Sequence, residues 1–152
     1  MTTTPDTGAL ATLTSGCPVH LPGDPGYDAA TTPWNLSVEQ RPAAVAVPRT
    51  VDQVRDVVRA AAAAGLKVAP QSTGHGAAAL GEHSLEDVVL VRMHELTGVS
   101  VDPAAGTVRV LGGTLWQDVV AAAAAHGRSV LHGSAGDVAV VGYALSGRLS
   151  FF

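Results

Sequence analysis

The stretch K-V-A-P-Q-S-T-G-H-G-A-A-A-L-G sets His75 between Gly74 and Gly76, directly after a strand-like run. A loop of small residues lets its main chain come close to a ligand, and an imidazole in its middle can face the same object. Backbone N–H groups in consecutive turn conformations form a concave patch of partial positive charge suited to phosphate oxygens. Glycine opens the dihedrals that such a path requires. Gln71, Ser72, Thr73, Gly74, His75 and Gly76 thus form a first candidate binding loop. The same residues suit a tight turn with an incidental histidine equally well.

A second candidate is L-H-G-S-A-G-D-V-A-V-V-G-Y, starting at Leu131. Gly133, Ser134, Ala135, Asp137, Val140 and Gly142 leave little side-chain bulk between the main chain and whatever lies against it. Two such loops after two similar strand segments make one bound planar ligand more plausible than two accidents. A plain turn between strands is the alternative reading.

Other chemistries find less support. Gly74-His75-Gly76 lacks the G-x-G-x-x-G pattern and an acidic residue placed for a ribose, and no Walker lysine is present, so neither a Rossmann nor a P-loop reading holds. The six histidines show no zinc-helix spacing, and Cys17 is the single cysteine, so no metal site and no internal disulfide are expected. Ser72, Ser84 and Ser134 sit in no nucleophile elbow. Nine Lys and Arg against thirteen Asp and Glu, a formal charge of -4, offer no footprint for nucleic acid. No apolar run reaches the ~18 residues of a membrane span, and the N-terminal residues lack a secretory pattern, so the expected location is the cytoplasm. Trp34 and Trp116 read as core or near-core aromatics, and Tyr27 and Tyr143 as packing residues.

The elements that must position the two loops follow from periodicity and punctuation. Residues 1–33, rich in Thr, Pro, Gly and Asp, read as an irregular arm with a short helix near residues 10–14, and ordered packing is expected from Trp34. A strand at residues 43–47 is followed by a helix with a Thr50/Gln53 capping box, an inward face of Val51, Val54, Val58 and Ala61, and Gly65 as C-cap. A strand at 66–69 ending at Pro70, a buried strand at 88–91, and a pair at 98–101 and 107–111 around a turn come next. A second helix, with a Thr114/Gln117 capping box and Trp116, Val119, Val120 and Ala123 inward, runs to Gly127 and leads to a short strand at 129–131. Two strand–helix–glycine–strand units separated by a hairpin predict an α+β fold.

Taken together, Q-R-P-A-A-V-A-V-P-R-T-V-D-Q-V from Gln40, V-A-P-Q-S-T-G-H-G from Val68, V-R-V-L-G-G-T-L-W from Val108 and G-S-A-G-D-V-A-V-V-G-Y-A-L-S-G from Gly133 resemble one family. It is that of the FAD-linked oxidases with a p-cresol-methylhydroxylase-type FAD-binding domain, especially the berberine-bridge-enzyme-like ones. The resemblance implies that residues 34–152 are the N-terminal part of such a domain, incomplete at Phe152. It implies FAD as cofactor, with the loop of Gln71, Ser72, Thr73, Gly74, His75 and Gly76 wrapping the diphosphate and His75 as a point of covalent attachment. Gly133, Ser134, Ala135, Asp137, Val140 and Gly142 would run along flavin and diphosphate, both loops serving one cofactor. Ala135 stands near the family's second linking cysteine, so at most one attachment is expected.

Arg148 departs from the family's glycine triplet, putting a long charged side chain where almost none is normally tolerated. The substrate pocket and catalytic base of full-length members have no counterpart here, so the catalytic residues are unknown. The implied activity is that of the N-terminal part of a flavin-dependent oxidoreductase acting on an alcohol, sugar or amine. The alternative is a non-catalytic remnant or interaction module with little flavin affinity, self-associating through an uncovered apolar face.

Overall fold

The computed structural model describes residues 16–147 together with Gly8 and Ser150. The expected helix near residues 10–14 and the environment of Arg148 lie outside the described residues. The chain divides into two compact units, Met1–Glu95 and Leu96–Phe152.

The first unit is built on a four-stranded sheet in the order β1-β2-β4-β3. Its strands are β1 (Val19–His20), β2 (Ala44–Ala46), β3 (Lys67–Gln71) and β4 (Val88–Arg92). β1 is antiparallel to β2, while β2, β4 and β3 run parallel, with Val45 opposite Leu90 and Ala69 opposite Leu90 on the other side. The continuous apolar run of β4 has the composition of a strand covered on both faces, and all five of its residues are buried.

Helix α1 (Tyr27–Thr31) covers one sheet face and α2 (Val51–Ala63) the other. Tyr27, Val45, Val47 and Leu90 make the core under α1. Ala44, Ala46, Val89 and Val91 pack with Val57 and Ala61 under α2. Alternate residues of β2 and β4 thus supply the two cores, as the two-residue period of a strand requires.

Several local expectations need correction. Ordered packing begins before Trp34: β1 and α1 lie within the segment expected to be irregular, because Cys17 and Tyr27 bury themselves on the sheet. The Tyr27 hydroxyl donates to the Pro42 carbonyl at 2.5 Å. Thr50 caps α2 as expected, accepting from the Gln53 N–H at 3.2 Å, and the Gln53 amide oxygen accepts from the Arg49 N–H. The inward face of α2 is Val57 and Ala61; Val51 and Val58 are exposed because the flat alanine side of the helix lies against the sheet.

At the C-terminus of α2, Gly65 takes a φ of 70° while Gly65 N–H donates to Ala62 and Leu66 N–H to Ala61. This is the paired bonding of a Schellman turn. β3 continues through Pro70 to Gln71, since β3 is the sheet edge and needs no outward N–H from a proline. Beyond it, α3 (Ala78–Gly81) is a single turn.

The second unit holds the antiparallel pair β5 (Val99–Asp102) and β6 (Thr107–Val110), with helices α4 (Trp116–Ala124) and α5 (Val140–Leu145). Asp102 closes the turn by accepting from the N–H groups of Ala104 and Ala105. Trp116, Val119 and Val140 form the core, with Val99, Val108, Val110 and Tyr143 against it. The second capping box does not form. Leu115 is the N-cap, and the buried Thr114 hydroxyl instead donates to the Gly98 carbonyl and accepts from the Gly98 N–H. Residues 129–131 form no strand, and Leu131 is exposed.

The fold is α+β, with its parallel strands gathered in the first unit. Among the described residues no helix is long and apolar enough to cross a membrane. Leu90, fully buried in the central strand, is the most demanding position of the first core. Leu90→Ala is expected to lower unfolding stability by about 2–5 kcal/mol, read as a drop in the midpoint of urea denaturation.

Candidate functional site

The first candidate loop leaves the carboxyl end of β3, the end at which parallel α/β sheets present ligand sites. Gln71, its first residue, is buried, and its side chain turns inward to accept from Arg92 Nη1 at 2.6 Å. Arg92 stands opposite Gln71 in the sheet register, and the same Nη1 donates to the Thr32 carbonyl at 3.2 Å. One guanidinium therefore ties the ends of β3 and β4 to the chain entering Pro33. The Gln71 amide oxygen is thereby committed within the fold, while its Nε2 is buried without a partner among the described residues.

Gly74 carries the turn. Its φ of 85° lies in the left-handed region, and a methyl group there would sit 2.7 Å from Pro33 Cβ. The close approach is secured by the Trp34 N–H, which donates to the Thr73 carbonyl at 2.9 Å. Gly76 is different: it is exposed, and a Cβ added there would meet nothing within 4 Å.

His75 is half-buried and held by two contacts. Its Nδ1 lies 2.8 Å from Thr73 Oγ1, and its ring stacks on the Trp34 indole with centroids 4.1 Å apart and planes inclined by 17°. Trp34 itself is 60% exposed. The expectation of a core tryptophan is corrected: it is a stacking surface for the imidazole. These contacts cover one ring face and hold Nδ1, which fixes the imidazole in orientation, and Nε2 has no partner among the described residues. No acidic side chain lies within residues 71–76, so nothing in the loop repels a diphosphate.

The second candidate segment is anchored differently. The Gly136 carbonyl accepts from the Gln117 N–H and the Val138 carbonyl from the Trp116 N–H, both at 3.0 Å. Main-chain carbonyls thus satisfy the free donors at the start of α4 that side-chain caps would otherwise take. Val140 N–H donates to the Thr114 carbonyl at 2.9 Å, and the Val140 side chain is buried beside Trp116. Its amide is therefore committed within the fold.

Ser134, Ala135 and Asp137 are exposed, and Gly133 is half-buried with its Cα face against the Tyr143 ring. Gly142 is exposed on α5, with open space where a Cβ would be. His132 Nδ1 lies 2.6 Å from the Gly133 carbonyl, and Trp116 meets Tyr143 edge-on at 5.6 Å. The segment is thus an exposed small-residue run pinned at Gly136 and Val138, leading into a short helix and not between strands.

Arg92, Thr32, Pro33 and Trp34 were not singled out as site residues in the sequence. The one available signal was Arg92 itself, a charge closing the otherwise apolar run V-V-L-V-R of a central strand.

The model of the FAD binding domain family matches residues 42–150. The chain belongs to that family, that of the FAD-linked, berberine-bridge-enzyme-like oxidases, and corresponds to the N-terminal, FAD-binding portion of its larger members. It is 28% identical over 135 residues to xylooligosaccharide oxidase of Thermothelomyces thermophilus, covering 88% of this chain and 27% of that protein. To (R)-6-hydroxynicotine oxidase of Paenarthrobacter nicotinovorans it is 29% identical, covering 88% of this chain and 29% of the relative. The chain thus spans under a third of the length of these relatives.

Among solved structures, wild-type BBE-like 1 of Physcomitrella patens superposes with a TM-score of 0.76 at 29% identity, over 91% of this chain and 30% of that one. Glucooligosaccharide oxidase of Acremonium strictum, described with a 6-S-cysteinyl, 8α-N1-histidyl FAD, gives a TM-score of 0.71 at 26% identity, over 89% of this chain and 29% of that one.

The Pro33 contact makes Gly74 the least replaceable residue of the loop. Gly74→Ala is expected to cost more than about 1 kcal/mol, from the left-handed φ and the overlap together. It should also accelerate hydrogen exchange at the Trp34 amide, which bonds Thr73 across the loop. Mass-spectrometric exchange on peptides containing Trp34 checks this.

Proposed function

We propose that this chain binds FAD and forms the N-terminal part of an FAD-linked oxidoreductase acting on an alcohol, sugar or amine. The observation that carries this reading is the loop at the end of β3: left-handed at Gly74, unhindered at Gly76, free of acidic side chains, and holding His75 against Trp34. The main-chain amides of Ser72, Thr73, Gly74, His75 and Gly76 take the diphosphate.

When bound, FAD supplies the redox chemistry, and the protein supplies placement and electrostatics. The part of this chain is to orient. Arg92 and Thr32 hold the base of the loop through Gln71, and Pro33 and Trp34 hold its tip. His75 is a cofactor residue, not a proton-transfer catalyst: its ring is fixed so that one nitrogen is available for attachment to the flavin. Ala135 leaves His75 as the single linking residue, in contrast to the doubly attached flavin named for the Acremonium enzyme.

The test is the visible spectrum of the purified 152-residue chain with added FAD, before and after acid precipitation. Yellow protein whose colour stays in the pellet, and moves to the supernatant in His75→Ala, is the expected result. Colour in the supernatant of the parent protein means binding without attachment. Colourless protein after FAD addition overturns the proposal in favour of a non-catalytic module.

A further inference from the structure

A second feature of the first unit shares Arg92 with the brace of the His75 loop but does not rest on the flavin reading. A cavity of about 410 Å³ lies beside the carboxyl ends of β2 and β4, lined by His20, Arg49, Arg92, His94 and Glu95, with Gly26, Ala29 and Ala30 forming a wall of small residues. Arg92 is the buried member of this group, only 8% exposed. Both of its hydrogen bonds leave through Nη1 and go to neutral oxygens, those of Thr32 and Gln71. Its Nε is buried and without a partner.

No carboxylate among the described residues neutralises Arg92. Glu95, which lines the same cavity, is paired with Arg49. Burial alone pushes the Arg92 guanidinium below its usual range, and burial followed by the nearby Arg92 charge pushes His94 down as well. Interiors rarely keep a charge with neither a counter-ion nor a full set of hydrogen bonds, because its desolvation is then uncompensated. A guanidinium with only neutral partners and an unpartnered Nε is the kind of group that an oxyanion neutralises.

We propose that this cavity is an anion site, in which the Arg92 guanidinium, lacking a counter-ion, binds a phosphate or carboxylate group with Arg49 and His94 at its margin. The chemistry required is a compact oxyanion carried by a free small molecule, separate from the diphosphate that the loop of residues 72–76 takes. Small residues on the α1 wall leave room for it, and Glu95, held by Arg49, is kept from filling the site.

The test is isothermal titration of the purified chain with inorganic phosphate at constant ionic strength, with and without saturating FAD. Saturable one-to-one binding is expected. Arg49→Gln, at an exposed position, should weaken it about tenfold, the loss of one charge-assisted contact, and His94→Gln, also exposed, should weaken it less, because burial and the Arg92 charge disfavour the His94 cation. Arg92→Lys, which keeps the charge but not the fork, should weaken it further. Phosphate bound alongside FAD is the expected result; phosphate displaced by FAD overturns the proposal of a separate anion site. If binding is not saturable, or Arg49→Gln and His94→Gln both bind phosphate like the parent while circular dichroism shows them folded, the proposal is overturned.

Discussion

The hydrogen bond from Arg92 to Gln71 holds the first unit's working end together. It joins the last residues of two parallel strands at the point where main-chain pairing stops and irregular chain begins. By also holding the Thr32 carbonyl, Arg92 brings the segment of Pro33 and Trp34 over the turn at Gly74. An uncharged side chain at either strand end could satisfy one of these partners. The planar guanidinium reaches both from a single nitrogen, at the cost of burying a charge.

The geometry of His75 follows from that brace. With Pro33 fixed against Gly74, the neighbouring Trp34 lies flat on the imidazole while staying open to solvent. Thr73 contributes twice, its carbonyl accepting from Trp34 and its hydroxyl meeting His75 Nδ1. A loop of small residues would otherwise be loose. Here its conformational freedom is removed by contacts from a segment nearly forty residues earlier in the chain.

The second unit reaches a comparable end without charge. The donors at the start of α4 are met by carbonyls of the small-residue segment, so helix and segment fix each other. Thr114 is then free to bridge to Gly98 from a buried position, tying the helix entrance to the start of β5. The capping-box expectation failed at this helix for that reason: a residue with the right side chain was recruited by a tertiary partner. At α2 no such partner competes for Thr50, and the side-chain cap forms.

Much of the fold was legible from local signals. The run of Val88, Val89, Leu90 and Val91 marked a buried strand, Gly65 and Gly127 marked helix ends, and Asp102 to Gly106 marked a turn, because each depends on backbone preferences or on a period within a few residues. The loop containing Gly74 and His75 was legible for the same reason. Strand order was not, nor was the passage of β3 through Pro70, since both depend on which strand occupies the edge. The inward face of α2 and the exposure of Trp34 were decided by the partner surfaces presented to them. By itself the sequence marked the turns at Gly65, Asp102 to Gly106 and Gly127 and the runs that became β2 to β6, α2 and α4. Only the tertiary structure decided that Arg92 braces Gln71 and that Trp34 stacks on His75, because those contacts join residues far apart in the chain and exist only when the sheet brings its strand ends together.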